Sequence, residues 1–293
     1  MNKEPRILVG TLYCGENEFE ALKESLQEQT YTHWEHIVYK NLPNKEAHDQ
    51  LYRTFMEQQD DFDLFLKLDA DMVFRSSEGL RRIVDLFRET DELDHLTLAV
   101  RDWYSDSLIE GLHTFSDRAR WDTGDESRFV DPSPTIPGQK RKLWSAPAPV
   151  VNHSPDPSPF QAFRFGVHRA LKVVQQDRWV MRWRQVTGQW SLLRKCWWHF
   201  KKCGDHRLGL ALLGAEEVFA QRADGTEYDH NQEALRSRLD NYKNLSIDEI
   251  RGELGRRWGS AWKRNSGFLE VAGMLRAGVS YTYYIGHRIR QSA

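Results

Sequence analysis

Apolar and polar positions along the first hundred residues repeat with two periods, and the two periods alternate. RILVGTLY (6–13), HWEHIVYKNL (33–42), DLFLKLDAD and HLTLAVRDW are short runs rich in β-branched and aromatic residues, and they predict strands. Between them the period becomes helical. EFEALKESLQEQ puts Phe19, Leu22 and Leu26 on one face, with Asn17 expected as the N-cap and Glu20 completing a capping-box pattern. KEAHDQLYRTFMEQQ carries Ala47, Leu51 and Phe55 along one face. A third helix, expected to be capped by Ser76 or Ser77, carries Leu80, Ile83, Val84 and Phe87 as an apolar stripe. Strands alternating with helices of this length predict an α/β fold, Rossmann-like, with a mainly parallel sheet and helices on both faces.

Beyond residue 100 the pattern changes. Residues 102–130 suggest antiparallel pieces, 131–160 are rich in Pro, Ser and Asp and read as loops, and from about 161 the chain looks helical to its end. A first domain over 1–222 and a helical C-terminal extension over 223–293 are expected. The 293 residues are 40% hydrophobic and 29% charged, ordinary values for a globular protein, and a net charge of -2 gives nucleic acid no support as a partner. Three cysteines, Cys14, Cys196 and Cys203, argue against a disulfide framework and suit a reducing cytoplasm. The start MNKEPRILVGT lacks an apolar stretch of signal-peptide length, and no window is long and apolar enough for a membrane span. The expected location is cytoplasmic, with any membrane contact peripheral and at the inner face.

In open sheets of this kind ligands bind beyond the carboxyl ends of the strands. GTLYCGE, KNLPN and DAD would all sit there. With DLFLKLDAD as the third strand, Asp69 and Asp71 project to one side while Ala70 faces away. Two carboxylates so placed repel unless a cation lies near them, and hard oxygen ligands suit Mg²⁺ or Mn²⁺. A solvated loop after the strand is the other reading. The apolar flanks LFLKL and MVF favour the metal.

ILVGTLYCGENEFEALKESLQEQTYTHWEHIVYKN followed by FLKLDADMVF resembles glycosyltransferases of the GT-A fold, in the family-2-like group, over residues 6–75. Gln29-Thr30-Tyr31 and the strand-terminal DAD are the most specific parts. The resemblance implies a GT-A catalytic domain over 1–222 that transfers a hexosyl unit from a nucleotide-sugar donor, by default a UDP-sugar. The acceptor would be a saccharide or a lipid-linked one, in polysaccharide or glycoconjugate synthesis, with Mn²⁺ or Mg²⁺ bridging the donor diphosphate to the DxD. It also implies nucleotide contacts at Thr11, Tyr13 and Glu16, with Glu18 as the alternative to Glu16. Asn41 stands where many members have an aspartate for the base. Lys67 either faces the diphosphate or snorkels to solvent. Asp71 is expected on the metal directly, and Asp69 on the ribose or on the metal through water.

An inverting transfer needs a base for the acceptor hydroxyl, and the candidates are Asp102, Asp205 and Glu216. Glu216 and its neighbour Glu217 also read as solvated helix residues. His153, in a Pro-rich loop, is a candidate third metal ligand or phosphate donor, and otherwise a surface histidine. His168, with Arg164 and Arg169, is expected to open a helix and offer its N-terminus to an anion, and otherwise to be a plain helix residue. Cys196, His199, Cys203 and His206 have zinc-like spacing, but one straight helix does not wrap a tetrahedron. In RWVMRWRQVTGQWSLLRKCWWHFKK five tryptophans interleave with cations. Core packing ranks first for them, a membrane or lipid-linked acceptor face second and nucleic acid third. The tail GFLEVAGMLRAGVSYTYYIGHRIR reads as a further amphipathic helix. Two rival functions stand beside glycosyl transfer. One is a non-catalytic scaffold that uses the tryptophan block as its interaction face. The other is a sugar nucleotidyltransferase, for which GTLYCGENE lacks the expected glycine-rich loop with Arg and Lys.

Overall fold

Ile7, Leu8 and Val9 are fully buried, as a central strand covered on both faces requires. They belong to β1 (Ile7–Tyr13), which lies between β2 (Trp34–Lys40) and β3 (Leu64–Lys67) and runs parallel to both. Helix α1 (Phe19–Gln27) connects β1 to β2, and α2 (Asn44–Glu57) connects β2 to β3. This half of the computed structural model is Rossmann-like α/β. The structure describes residues 4–122, 133–143, 149–174, 179–220 and 232–256, with the side chains of 174–187 excepted.

Past β3 the sheet is mixed rather than mainly parallel. β4 (Met72–Phe74) and α3 (Gly79–Arg88) follow, then β5 (Leu93–Asp102) and β6 (Ser107–Ser116). Only residues 103–106 join β5 to β6, and a link that short permits antiparallel pairing alone. β6 in turn pairs antiparallel with β3. β7 (Gln139–Leu143) and β8 (Val151–His153) run parallel to successive parts of β5, and β4 lies antiparallel to β8. The order is β2-β1-β3-β6-β5-β8-β4, with β7 on β5.

The Gln29-Thr30-Tyr31 segment acts as a staple. The Gln29 amide donates to the carbonyls of Ser25 and Ser76 at 2.9 Å each, and its oxygen accepts from Leu80 N at 2.9 Å. Thr30 bonds the Ser77 carbonyl through its backbone N, and the buried Tyr31 hydroxyl donates to Pro5 O. The Ser76 and Ser77 carbonyls are thereby used, and the N-cap of α3 is Glu78, without a side-chain bond. Asn17 does not cap α1 either; that position is Glu18. Asn17 instead donates from its side chain to Asp156 O at 2.8 Å and from its backbone N to Gln161 Oε1 at 2.7 Å. Against β1 and β3, α2 contributes Leu51, Tyr52 and Phe55 to a core completed by Phe65, Phe115 and Trp121. Tyr52 and Trp121 stack with centroids 4.6 Å apart, and Phe65 meets Trp121 edge-on.

The chain divides into two compact units, Met1–Gln161 and Ala162–Ala293. The boundary expected at 222/223 and the tail helix lie outside the described residues. The second unit is helical where described: α4 (Pro159–Val174, which begins in the first unit), α5 (Trp179–Cys203), α6 (His206–Phe219), α7 (Gln232–Asp240) and a helical stretch over 247–256. Every residue of α6 from Leu208 to Val218 is buried. Among the described residues no helix is long and apolar enough to cross a membrane.

Glycines let α4 and α6 approach each other closely. A Cβ on Gly166 would sit 1.6 Å from the Ala211 carbonyl oxygen, and one on Gly214 would sit 2.1 Å from that of Phe163. Both obstacles are backbone, so relief requires the helices to separate. Gly166→Ala is expected to lower unfolding free energy by about 2–3 kcal/mol in urea titrations, although alanine favours helix.

Candidate functional site

β3 ends at Lys67, and Met72 N donates to Asp69 O at 2.9 Å, so DAD is a tight turn between β3 and β4 rather than a strand. The strand-side argument for Asp69 and Asp71 therefore does not apply, and the two carboxylates have different partners. Asp69 Oδ1 takes an ion pair from Lys67 Nζ at 2.9 Å, and the lysine side chain is largely buried. Asp71 Oδ2 accepts from Ser154 Oγ at 2.5 Å, and the Asp71 carbonyl accepts from Ser154 N at 2.7 Å.

Strand register brings the next two residues in. Met72 pairs with His153 across β4 and β8, and Asp102 pairs with His153 across β5 and β8. Asp71, His153 and Asp102 thus meet where three strand ends come together. His153 Nδ1 lies 2.7 Å from Asp102 Oδ1, and Nε2 lies 3.4 Å from Asp71 Oδ2. Asp102 is fully buried, and its other oxygen accepts from Ser105 N at 2.7 Å and Ser105 Oγ at 2.5 Å. A carboxylate only accepts, so Nδ1 carries the proton, and in the neutral form of the ring Nε2 would present its lone pair toward Asp71. Lone pair and carboxylate repel unless a proton or a cation lies between them.

This pair fits a divalent ion. Bonds to Mg²⁺ run at about 2.0–2.1 Å, so one ion reaches both atoms across 3.4 Å. A histidine ligand whose other nitrogen is held by a carboxylate is a recurrent metal-binding arrangement. Among the described residues no set of three or more His, Cys, Asp or Glu side chains gathers to hold a metal. Asp71 Oδ2 and His153 Nε2 are the two donors that the described residues would offer an ion here.

Nearby, Glu18 is 3% exposed. Its carboxylate accepts from Gln161 Nε2 at 2.7 Å and Asp156 N at 3.1 Å. Burial pushes this carboxyl up, the Gln161 bond works against that, and the charge of Asp71 adds to the rise.

The other expected nucleotide contacts divide. Tyr13 stacks on Phe19 at 4.3 Å, with Lys40 Nζ 6.0 Å from its ring, and the three form a shelf at the carboxyl ends of β1 and β2. Thr11 is fully buried, and its hydroxyl donates to Leu68 O at 2.9 Å while accepting from His36 Nε2 at 2.9 Å. It ties β1 to the segment before DAD and to His36 on β2. Glu16 folds back on Cys14, accepting from its N at 2.7 Å and Sγ at 3.0 Å. Asn41 has φ 56, in the left-handed region that asparagine tolerates, and its N donates to Tyr13 O.

The base candidates are Asp102, Asp205 and Glu216, and they lie in three different settings. Asp102 is buried and orients His153. Asp205 is the N-cap of α6, accepting from Arg207 N at 2.8 Å and pairing with its guanidinium. Burial pushes that carboxyl up, but the Arg207 hydrogen bonds and charge outweigh this and hold it below the usual range. Glu216 is 4% exposed within the buried α6. His168 lies deep inside α4, which begins at Pro159, so it does not open a helix. In the zinc-like pattern Cys196 is buried, Cys203 is exposed and His206 Nε2 faces Leu245 O at 3.0 Å. Sequence reasoning missed Ser154, Ser105 and Gln161, which carry no motif and enter through strand register and loop return.

Burial, and then the charge of Lys23, pushes His36 down from 6.5 to about 4. The folded imidazole stays neutral where the unfolded one takes a proton, so its stabilising share is complete above pH 6.5 and is lost as pH falls toward about 4. The urea midpoint is expected to fall across that window, and His36→Gln, which keeps a donor for Thr11, is expected to flatten the decline. No family model matches the chain, and no curated protein matches it.

Proposed function

We propose that the chain is a metal-dependent glycosyltransferase of the GT-A type, drawing on a nucleotide-sugar donor, a UDP-sugar by default, and a saccharide or lipid-linked acceptor. The observation that carries the reading is the Asp71–His153–Asp102 arrangement beside the DAD turn, at the sheet edge where open α/β folds bind ligands. Asp71 and His153 hold Mn²⁺ or Mg²⁺, and Asp102 keeps the His153 lone pair aimed at it. The bound ion stabilises negative charge on the departing diphosphate. Lys67 holds Asp69 beside the metal ligands, and the Tyr13–Phe19 shelf with Lys40 offers the base a stacking surface and the donor a cation.

Calorimetry of UDP with and without Mn²⁺ tests the reading. Wild type is expected to bind UDP only with the metal, and Asp71→Asn and His153→Ala to lose that dependence. Asp102→Asn is expected to weaken Mn²⁺ binding about 10–100-fold without unfolding. UDP binding that ignores Mn²⁺, or Asp71→Asn behaving as wild type, would remove the metal role and leave the scaffold reading in its place.

A further inference from the structure

Helix α5 is unusual in charge. It carries Arg182, Arg184, Arg194, Lys195, Lys201 and Lys202 and no acidic residue. Its C-terminal half has two faces. Trp190, Leu193, Cys196 and Phe200, spaced three and four apart, are buried. Lys195, Trp198 and Lys202 follow the same spacing on the other side and are exposed, with Lys201 and Cys203 beside them. Among the described residues Trp198 is the only large hydrophobic side chain that is exposed, at 59%. Lys201 Nζ lies 4.9 Å from its ring and 5.8 Å from that of Trp197. Among the described residues neither Lys201 nor Lys202 forms an ion pair.

A bare indole in water is unfavourable, and core packing does not explain one that faces outward. An exposed indole with one ammonium group over it and further exposed lysines on the same helix face matches the boundary of an anionic bilayer. There the ring settles at the headgroups with its N–H wet, and lysines meet lipid phosphates. We propose that this face of α5, formed by Lys195, Trp198, Lys201 and Lys202, docks on a bilayer containing anionic phospholipid. The inference goes beyond the nucleotide-sugar reading and does not depend on it. Single-stranded nucleic acid fits less well. It stacks successive bases on successive rings, and this face offers one exposed indole on a chain of net charge -2.

The test is sedimentation of the full chain with phosphatidylcholine vesicles, with and without about 30 mol% phosphatidylglycerol. Binding is expected on the anionic vesicles only, and it should weaken as salt rises. Trp198→Ala is expected to lower vesicle affinity about tenfold, with Trp198→Phe recovering much of it. Lys201→Gln with Lys202→Gln is expected to lower it about thirtyfold, at roughly fivefold per lysine. All four positions of the face are exposed, so circular dichroism and thermal midpoints should stay at wild type. An environment-sensitive dye on the exposed Cys203, in a Cys14→Ser background, should shift to the blue on anionic vesicles and not in the double lysine variant. Equal binding to neutral vesicles, or variants that bind as wild type, would overturn the proposal. So would an oligonucleotide that binds through Trp198 while vesicles do not, or a dimer that Trp198→Ala dissociates while vesicles are ignored.

Discussion

The sheet edge depends on one buried hydrogen bond, from His153 Nδ1 to Asp102 Oδ1 at 2.7 Å. A carboxylate with no access to water must be compensated by donors. Asp102 has His153 on one oxygen and both Ser105 donors on the other. Removing the histidine leaves a buried charge short of a donor, and removing the carboxylate frees the ring to turn. β8 is only three residues long, and this bond adds a side-chain tie to its short backbone pairing with β5. The contact that aims His153 Nε2 at Asp71 therefore also helps to seat the strand. Site geometry and local fold are the same interaction seen from two ends.

The mixed topology makes that meeting possible. In a wholly parallel sheet each strand would deliver its carboxyl end to the edge after a helical crossover. Here β4 turns back from DAD and runs antiparallel to β8, so the start of one strand lies beside the end of the other. β5 reaches the same place because a bulge between Leu98 and Ala99 reshapes its pairing with β6. Gly111 sits at that bulge, where a Cβ would lie 2.8 Å from Val100. Three short stretches, 71–74, 102–105 and 151–154, then supply all the polar groups of the cluster.

Hydrophobic period located β1, β2, β3 and β5 and three helices, because each buries apolar side chains against the same sheet, and it passed over the three-residue β4. It could not give their pairing. β5 and β6 carry ordinary strand patterns, and only the brevity of the 103–106 link marks their antiparallel relation. Asp71 and His153 were singled out in the sequence and do lie together, 3.4 Å apart, while DAD forms a turn and not the strand end expected of it. Asp102 was visible as a carboxylate but not as the partner of His153, 51 residues away in sequence. Thr11 shows the reverse: its position is the one the resemblance singles out, yet its hydroxyl is spent on Leu68 and His36. The Gln29-Thr30-Tyr31 pattern likewise earns its place through backbone carbonyls and not through a ligand.

Helix α5 carries six Lys and Arg residues and no acidic one. Cations stabilise a helix through its dipole only within the last turn, and that accounts for Lys201 and Lys202. Lys195, Lys201 and Lys202 are exposed on the side away from the buried stripe. A helix selected only for packing its Leu193–Cys196–Phe200 stripe would tolerate mixed charges on its outer side. The exposed Lys195, Lys201 and Lys202 around an exposed indole match the surface chemistry of an anionic bilayer, which is negative, extended and partly apolar, and the proposal rests on that match.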